Sequence, residues 1–99
     1  MDRAGHEMWK AILAEAIAAR ANDIYLTAGQ AVWLRVDGSL CRLSRAEWQP
    51  DDAFMESMAE VLLSPAQRES LRGGHAIDFS LAHAGRRLRG NLYRQQAHL

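Results

Sequence analysis

At 99 residues the chain has room for one domain and not two, and a domain of this size buries only about two thirds of the surface its unfolded chain exposes. Hydrophobic residues make up 48% and charged residues 24%, globular proportions that exclude wholesale disorder. Twelve Lys+Arg balance twelve Asp+Glu, so the overall charge points to no nucleic-acid or membrane partner.

The residues 6–21 carry Met8, Trp9, Ile12, Leu13, Ala16 and Ile17 at helical spacing, which predicts an amphipathic helix. Ile24 to Ala28 alternates, with Ile24 and Leu26 on one face and Tyr25 and Thr27 on the other, as a half-buried strand does. Val32 to Val36 is a second strand, with Val32, Leu34 and Val36 sharing a face. Asp37-Gly38 is a hairpin signal, because both central residues of a type I′ turn need positive φ, and Ser39 to Leu43 is the returning strand. Trp33 is expected to pack under a helix, with an exposed aromatic role as the other reading, and Cys41 is expected to be a buried structural thiol.

Two helices follow. Pro50 suits the first helical position, Asp51 and Asp52 then fall in the first turn, and Phe54, Met55, Met58, Val61 and Leu62 form the apolar face. Ser64-Pro65-Ala66-Gln67 reads as the start of another helix, with Ser64 as cap and Gln67 reaching back, and Gly73-Gly74 ends it. Ala76 to Leu81 is a strand with Ile77, Phe79 and Leu81 inward; His83-Ala84-Gly85 is a turn; Arg86 to Gln95 is the last strand. The order is α-βββ-α-α-ββ: an α+β fold with a mostly antiparallel sheet and helices packed on one face, in a single domain over residues 1–99.

Catalytic chemistry is hard to place in this pattern. There is no G-x-x-x-x-G-K-[ST] phosphate loop and no H-E-x-x-H, and His6, His75, His83 and His98 are scattered, so no catalytic residue and no metal ligand is assigned. The charge distribution is more informative. Glu47, Asp51, Asp52, Glu56 and Glu60 form an acidic segment, while Arg86, Arg87, Arg89 and Arg94 form a basic one after the last carboxylate, Asp78. Alternation puts Arg87, Arg89 and Asn91 on one face of the last strand, Arg94 being able to turn the same way. Such a row suits a phosphate or carboxylate ligand. It equally suits a solvated outer face paired with acids such as Asp78 across the ladder. Tyr93 is treated like Trp33, as an aromatic expected under a helix.

The single cysteine fits a reducing compartment, no signal-peptide pattern precedes the first helix, and no apolar run approaches the ~20 residues of a membrane helix. The expected location is cytoplasmic. The chain stops soon after a strand, which reads as part of a longer protein.

Several segments resemble one family. Ala21-Asn22-Asp23-Ile24-Tyr25-Leu26-Thr27-Ala28-Gly29 resembles the A-S-D-[IL]-H-[IL]-T-x-G segment of twitching-motility (PilT-type) ATPases, and Leu34-Arg35-Val36-Asp37-Gly38-Ser39-Leu40 resembles their L-R-[VI]-[DN]-G-x-L. Ile77-Asp78-Phe79-Ser80, then Arg87-Leu88-Arg89-Gly90-Asn91-Leu92-Tyr93-Arg94-Gln95, resemble their [LI]-D-F-[SA] and R-[FY]-R-x-N-x-[FY]-x-Q. The resemblance implies the PAS-like N-terminal domain of a cytoplasmic hexameric ATPase that drives type IV pilus retraction or assembly, or type II secretion. It implies a RecA-like ATPase domain that is absent from this chain, with ATP and Mg²⁺ as ligands of the full-length protein. Expected partners are the neighbouring subunit's ATPase core in a homo-hexamer and an inner-membrane platform with which the motor is peripherally associated; no nucleic acid is expected. By match to the family's motifs, Arg35, Arg89 and Arg94, with Arg87 after them, are implied as contacts to the nucleotide phosphates. Tyr25 replaces the motif's histidine, Asn22 its serine, and Gly90 an apolar β-former. The chain alone is expected not to hydrolyse ATP. The alternative is a stand-alone PAS-like sensor, with a ligand pocket between sheet and helix.

Overall fold

A computed structural model describes residues 3–43 and 49–94. The elements are α1 (Arg3–Ala18), β1 (Asp23–Thr27), β2 (Trp33–Val36), β3 (Ser39–Arg42), α2 (Asp52–Leu62), α3 (Pro65–Arg72), β4 (Ile77–His83) and β5 (Arg86–Tyr93). The element order matches the one read from the sequence. The proposed end of the last strand, at Gln95, lies outside the described residues.

The strands form one five-stranded sheet in the order β3-β2-β1-β5-β4. The hairpins β1–β2, β2–β3 and β4–β5 are antiparallel, whereas β1 and β5 pair in parallel, Asp23 opposite Arg89 and Tyr25 opposite Asn91. The sheet is therefore mixed, with its one parallel ladder at the centre. The hairpin turns carry the expected geometry: Asp37 and Gly38 have φ of 52° and 81°, and Ala84 and Gly85 have φ of 51° and 76°.

Alternation along the strands sorts side chains onto two faces. Ile24, Leu26, Leu34, Leu88 and Leu92 share the covered face, and none is more than 3% exposed. They join Ile12, Leu13 and Ala16 of α1, Phe54, Met55, Met58 and Ala59 of α2 and Leu71 of α3 in a single core. Gly90 lies on the same covered face, where the ring of its ladder partner Phe79 occupies the space a side chain would need.

The helix ends show how local chemistry sets boundaries. Ser64 and Gln67 form a reciprocal capping box at α3, with Pro65 as its first residue, as the sequence predicts. At α2 the boundary is shifted from the expected one: Asp51 is the N-cap, its Oδ1 accepting from the Phe54 N–H at 2.8 Å, and Pro50 lies before the helix and is buried. A short carboxylate satisfies an orphan amide there better than it would as a first-turn charge.

Three further expectations are corrected. Cys41 is exposed, because β3 is an edge strand all four of whose residues are exposed. Trp33 and Tyr93, 40% and 38% exposed, stand on the face opposite the helices and not beneath them. No helix among the described residues is long and apolar enough to cross a membrane.

Candidate anion site on the open sheet face

The face away from the helices carries Asp23, Tyr25 and Thr27 from β1, Trp33 and Arg35 from β2, Leu40 and Arg42 from β3, Asp78 and Ser80 from β4, and Arg87, Arg89, Asn91 and Tyr93 from β5. Strand pairing decides which of these meet. Asp23 has Arg35 opposite it on one side and Arg89 opposite it on the other, so a single carboxylate stands between two guanidinium groups.

Arg89 Nε donates to Asp23 Oδ1 at 2.7 Å, and Arg35 Nε lies 3.7 Å from Asp23 Oδ2. The carboxylate side chain is only 7% exposed while that of Arg89 is 74% exposed. Asp23 Oδ2 has no hydrogen-bond donor in the structure. Arg35 is engaged elsewhere: Nε donates to the Tyr25 hydroxyl at 3.1 Å, Nη1 donates to the Gly38 carbonyl at 3.3 Å, and Cζ sits 5.7 Å from the Tyr25 ring centroid. That placement adds a cation–π contact. The hydrogen bond to Asp23, and then its charge, raise the Arg89 pKa, so the guanidinium stays charged.

Two shallow grooves flank this triad and share Tyr25. One is lined by Tyr25, Trp33, Arg35 and Leu40 and is mostly apolar. The other is lined by Asp23, Tyr25, Asp78, Arg89, Gly90 and Asn91 and is polar. Asp78 pairs across the ladder with a member of the β5 row, as one of the two sequence readings has it: it accepts from Asn91 Nδ2 at 2.9 Å. The register explains it: Asn91 is opposite Asp78, and Arg89 is opposite Ser80.

The four arginines singled out in the sequence therefore divide. Arg35 and Arg89 come together. Arg87 lies on the same face at the turn end of β5, exposed and opposite Ala82. Arg94 does not turn the same way. The residue after Tyr93 alternates to the helix side, where Nη1 lies 3.3 Å from Glu56 and Nη2 3.9 Å from Asp52 on α2. The acidic helix and the end of the basic strand thus hold each other. His6, His75 and His83 stay apart in the chain's elements, His98 lies outside the described residues, and no group of three or more metal-ligating side chains occurs among the described residues.

Sequence reading missed Asp23 as a site residue. Its neighbours Arg35 and Arg89 are set by strand pairing, which periodicity along one strand does not supply.

In chemical terms the triad carries two positive charges and one negative, with an apolar groove on its Arg35 side and a polar one on its Arg89 side. It holds no nucleophile paired with a base. Two guanidinium groups around one carboxylate are the donor type that suits phosphate or carboxylate oxygens. Compared with known protein families and with curated proteins, the chain matches none.

Proposed function

We propose that this chain is the PAS-like N-terminal regulatory and oligomerisation domain of a hexameric motor ATPase of the type IV pilus or type II secretion kind, presenting Arg35 and Arg89 to nucleotide phosphates. The observation that carries the reading is convergence. Segments that resemble that family lie far apart in the sequence, yet Asp23 and Tyr25 of the first, Arg35 of the second, Asp78 of the third and Arg89 and Asn91 of the fourth adjoin one another on one sheet face.

In this reading the domain contributes charge and the ATPase core contributes the reaction. Guanidinium groups reaching a partly dehydrated cleft between subunits make charge-assisted bonds to phosphate oxygens, which are about twice as strong as neutral ones. Closure of that cleft on ATP and its opening after hydrolysis swing the domain as a rigid body. Cytoplasmic location, peripheral association with an inner-membrane platform, a homo-hexamer, and ATP with Mg²⁺ as ligands of the longer protein all belong to this proposal. Arg94 stands apart from Arg35 and Arg89 in this reading because it lies on the helix side of the sheet, beside Glu56 and Asp52.

The test is kinetic. In the natural full-length protein Arg89→Ala should lower ATP turnover at least about tenfold, the scale of one lost charge-assisted contact, while leaving the far-UV circular dichroism of this domain unchanged. Turnover at the unmutated rate would remove the phosphate role.

A further inference from the structure

Asp23 is expensive for the fold. Its side chain is 93% buried by the complement of its 7% exposure, one carboxylate oxygen lacks a donor, and its strongest partner, Arg89, is largely in solvent. Burying a carboxylate costs free energy that an exposed partner returns only in part, and a buried ion pair is commonly matched or bettered by an apolar residue of similar volume. Folding alone gives no reason for a carboxylate between two arginines.

The anion reading does. Resting on the assignment of Arg35 and Arg89 as phosphate contacts, we infer that Asp23 is the resident counter-ion of that site and sets its affinity by competing with the incoming anion for Arg89. The two arginines differ in how they are held. Arg35 is fixed by the Tyr25 hydroxyl and the Gly38 carbonyl, independently of Asp23. Among the described residues the Arg89 side chain makes one hydrogen bond, to Asp23 Oδ1. Arg89 is therefore the mobile cation, able to swing toward a ligand in the groove lined by Tyr25, Asp78 and Asn91. Asp23 cannot follow it, being buried at the start of the central strand β1.

When Arg89 leaves, Asp23 retains only Arg35, 3.7 Å from its second oxygen. That loss opposes ligand binding, as does repulsion between Asp23 and the bound anion. Among the described residues the other carboxylate lining this groove is Asp78, which is exposed and hydrogen-bonded to Asn91. The ligand class is a multiply charged phosphate chain. A multiply charged chain attracts Arg89 more strongly than the single charge of Asp23 does, whereas a monoanion would gain little beyond what the resident carboxylate already provides.

The experiment titrates this chain with inorganic tripolyphosphate, following affinity by calorimetry and the Arg89 Nε–H by nitrogen-15 NMR. Asp23→Asn should bind about tenfold tighter than the unmutated chain, the effect of withdrawing a unit charge from beside a multiply charged anion. Asp78→Asn, which removes the same charge from an exposed position, should change affinity by less than about threefold. On saturating the unmutated chain, the Arg89 Nε–H resonance should move and exchange faster as it leaves Asp23. This measurement needs no variant, so it decides the matter even if Asp23→Asn fails to fold. Equal affinity of the unmutated chain and Asp23→Asn, equal tightening in both variants, or an unmoved Nε–H at saturation each overturns the competition while leaving the phosphate reading standing. No binding by either chain removes the anion site on this chain and the competition with it; the phosphate reading is then decided by the Arg89→Ala turnover of the full-length protein.

Discussion

Gly90 shows how one residue can be fixed by its neighbour. An added Cβ would lie 2.2 Å from Phe79 Cζ, far inside contact distance, and the ring faces it across the β4–β5 ladder. Gly90 stands where the family pattern has an apolar β-former, and the Phe79 ring fills the place of the missing side chain. Gly90→Ala should therefore destabilise by about 1–3 kcal/mol as Phe79 is pushed off its rotamer. Phe79→Leu in the same chain should recover part of that loss. Chemical denaturation of the two single variants and the double variant measures the coupling; a neutral Gly90→Ala would mean that the ring has free space to move. Asp23 was harder to read than Gly90 for a physical reason. Its role arises from cross-strand neighbours 12 and 66 positions away, Arg35 and Arg89, and periodicity along one strand carries no information about them. The same limit misplaced Cys41, Trp33 and Tyr93: alternation tells which side chains share a face, but not which strand is an edge or which face the helices leave open.

At the level of elements, legibility followed the range of the interactions. Turns and caps decided within four residues, such as Asp37-Gly38 and the Ser64–Gln67 box, read directly from the chain. The end of α1 was less obvious, because its terminating residue is not glycine. The Ala21 N–H donates to the Ala16 carbonyl at 2.9 Å and the Arg20 N–H to the Ile17 carbonyl at 3.1 Å, the paired bonds of a Schellman motif. Arg20 takes the left-handed position at φ 58°, and Ala16 and Ala21 both become fully buried as the chain reverses. A side chain at that φ costs roughly 1 kcal/mol relative to glycine. Arg20→Gly should thus stabilise the protein by about 1 kcal/mol, read as a higher denaturation midpoint at unchanged slope. An unchanged or lower midpoint would show that the exposed Arg20 side chain contributes more than the strain it imposes.

For the whole molecule the decisive contact is the parallel ladder between β1 and β5, which joins the early and late parts of the chain and sets Arg89 beside Asp23. It was not legible in the sequence, where β1 groups with β2 and β3 as a meander and β5 with β4 as a hairpin. Pairing between the two groups is chosen by burial: Ile24, Leu26, Leu88 and Leu92 are each 0% exposed, and only adjacent central strands can bury all four under the same helices. This gives the sheet a graded stability. Opening β1 or β5 breaks a ladder on each side and uncovers the core, so it approaches global unfolding. Opening β3 breaks one ladder, to β2, and exposes residues that are already exposed. Hydrogen exchange should accordingly be slowest at the paired amides of β1 and β5 and at least about a hundredfold faster in β3. Asp23 and Arg89 then stand on the rigid centre, and Arg35 on the strand between that centre and the loose edge, so adjustment of the site to an anion falls to the Arg89 side chain and to β2. Protection in β3 equal to that in β5 would contradict this gradient and make the sheet one cooperative unit, with no softer half for a ligand to move.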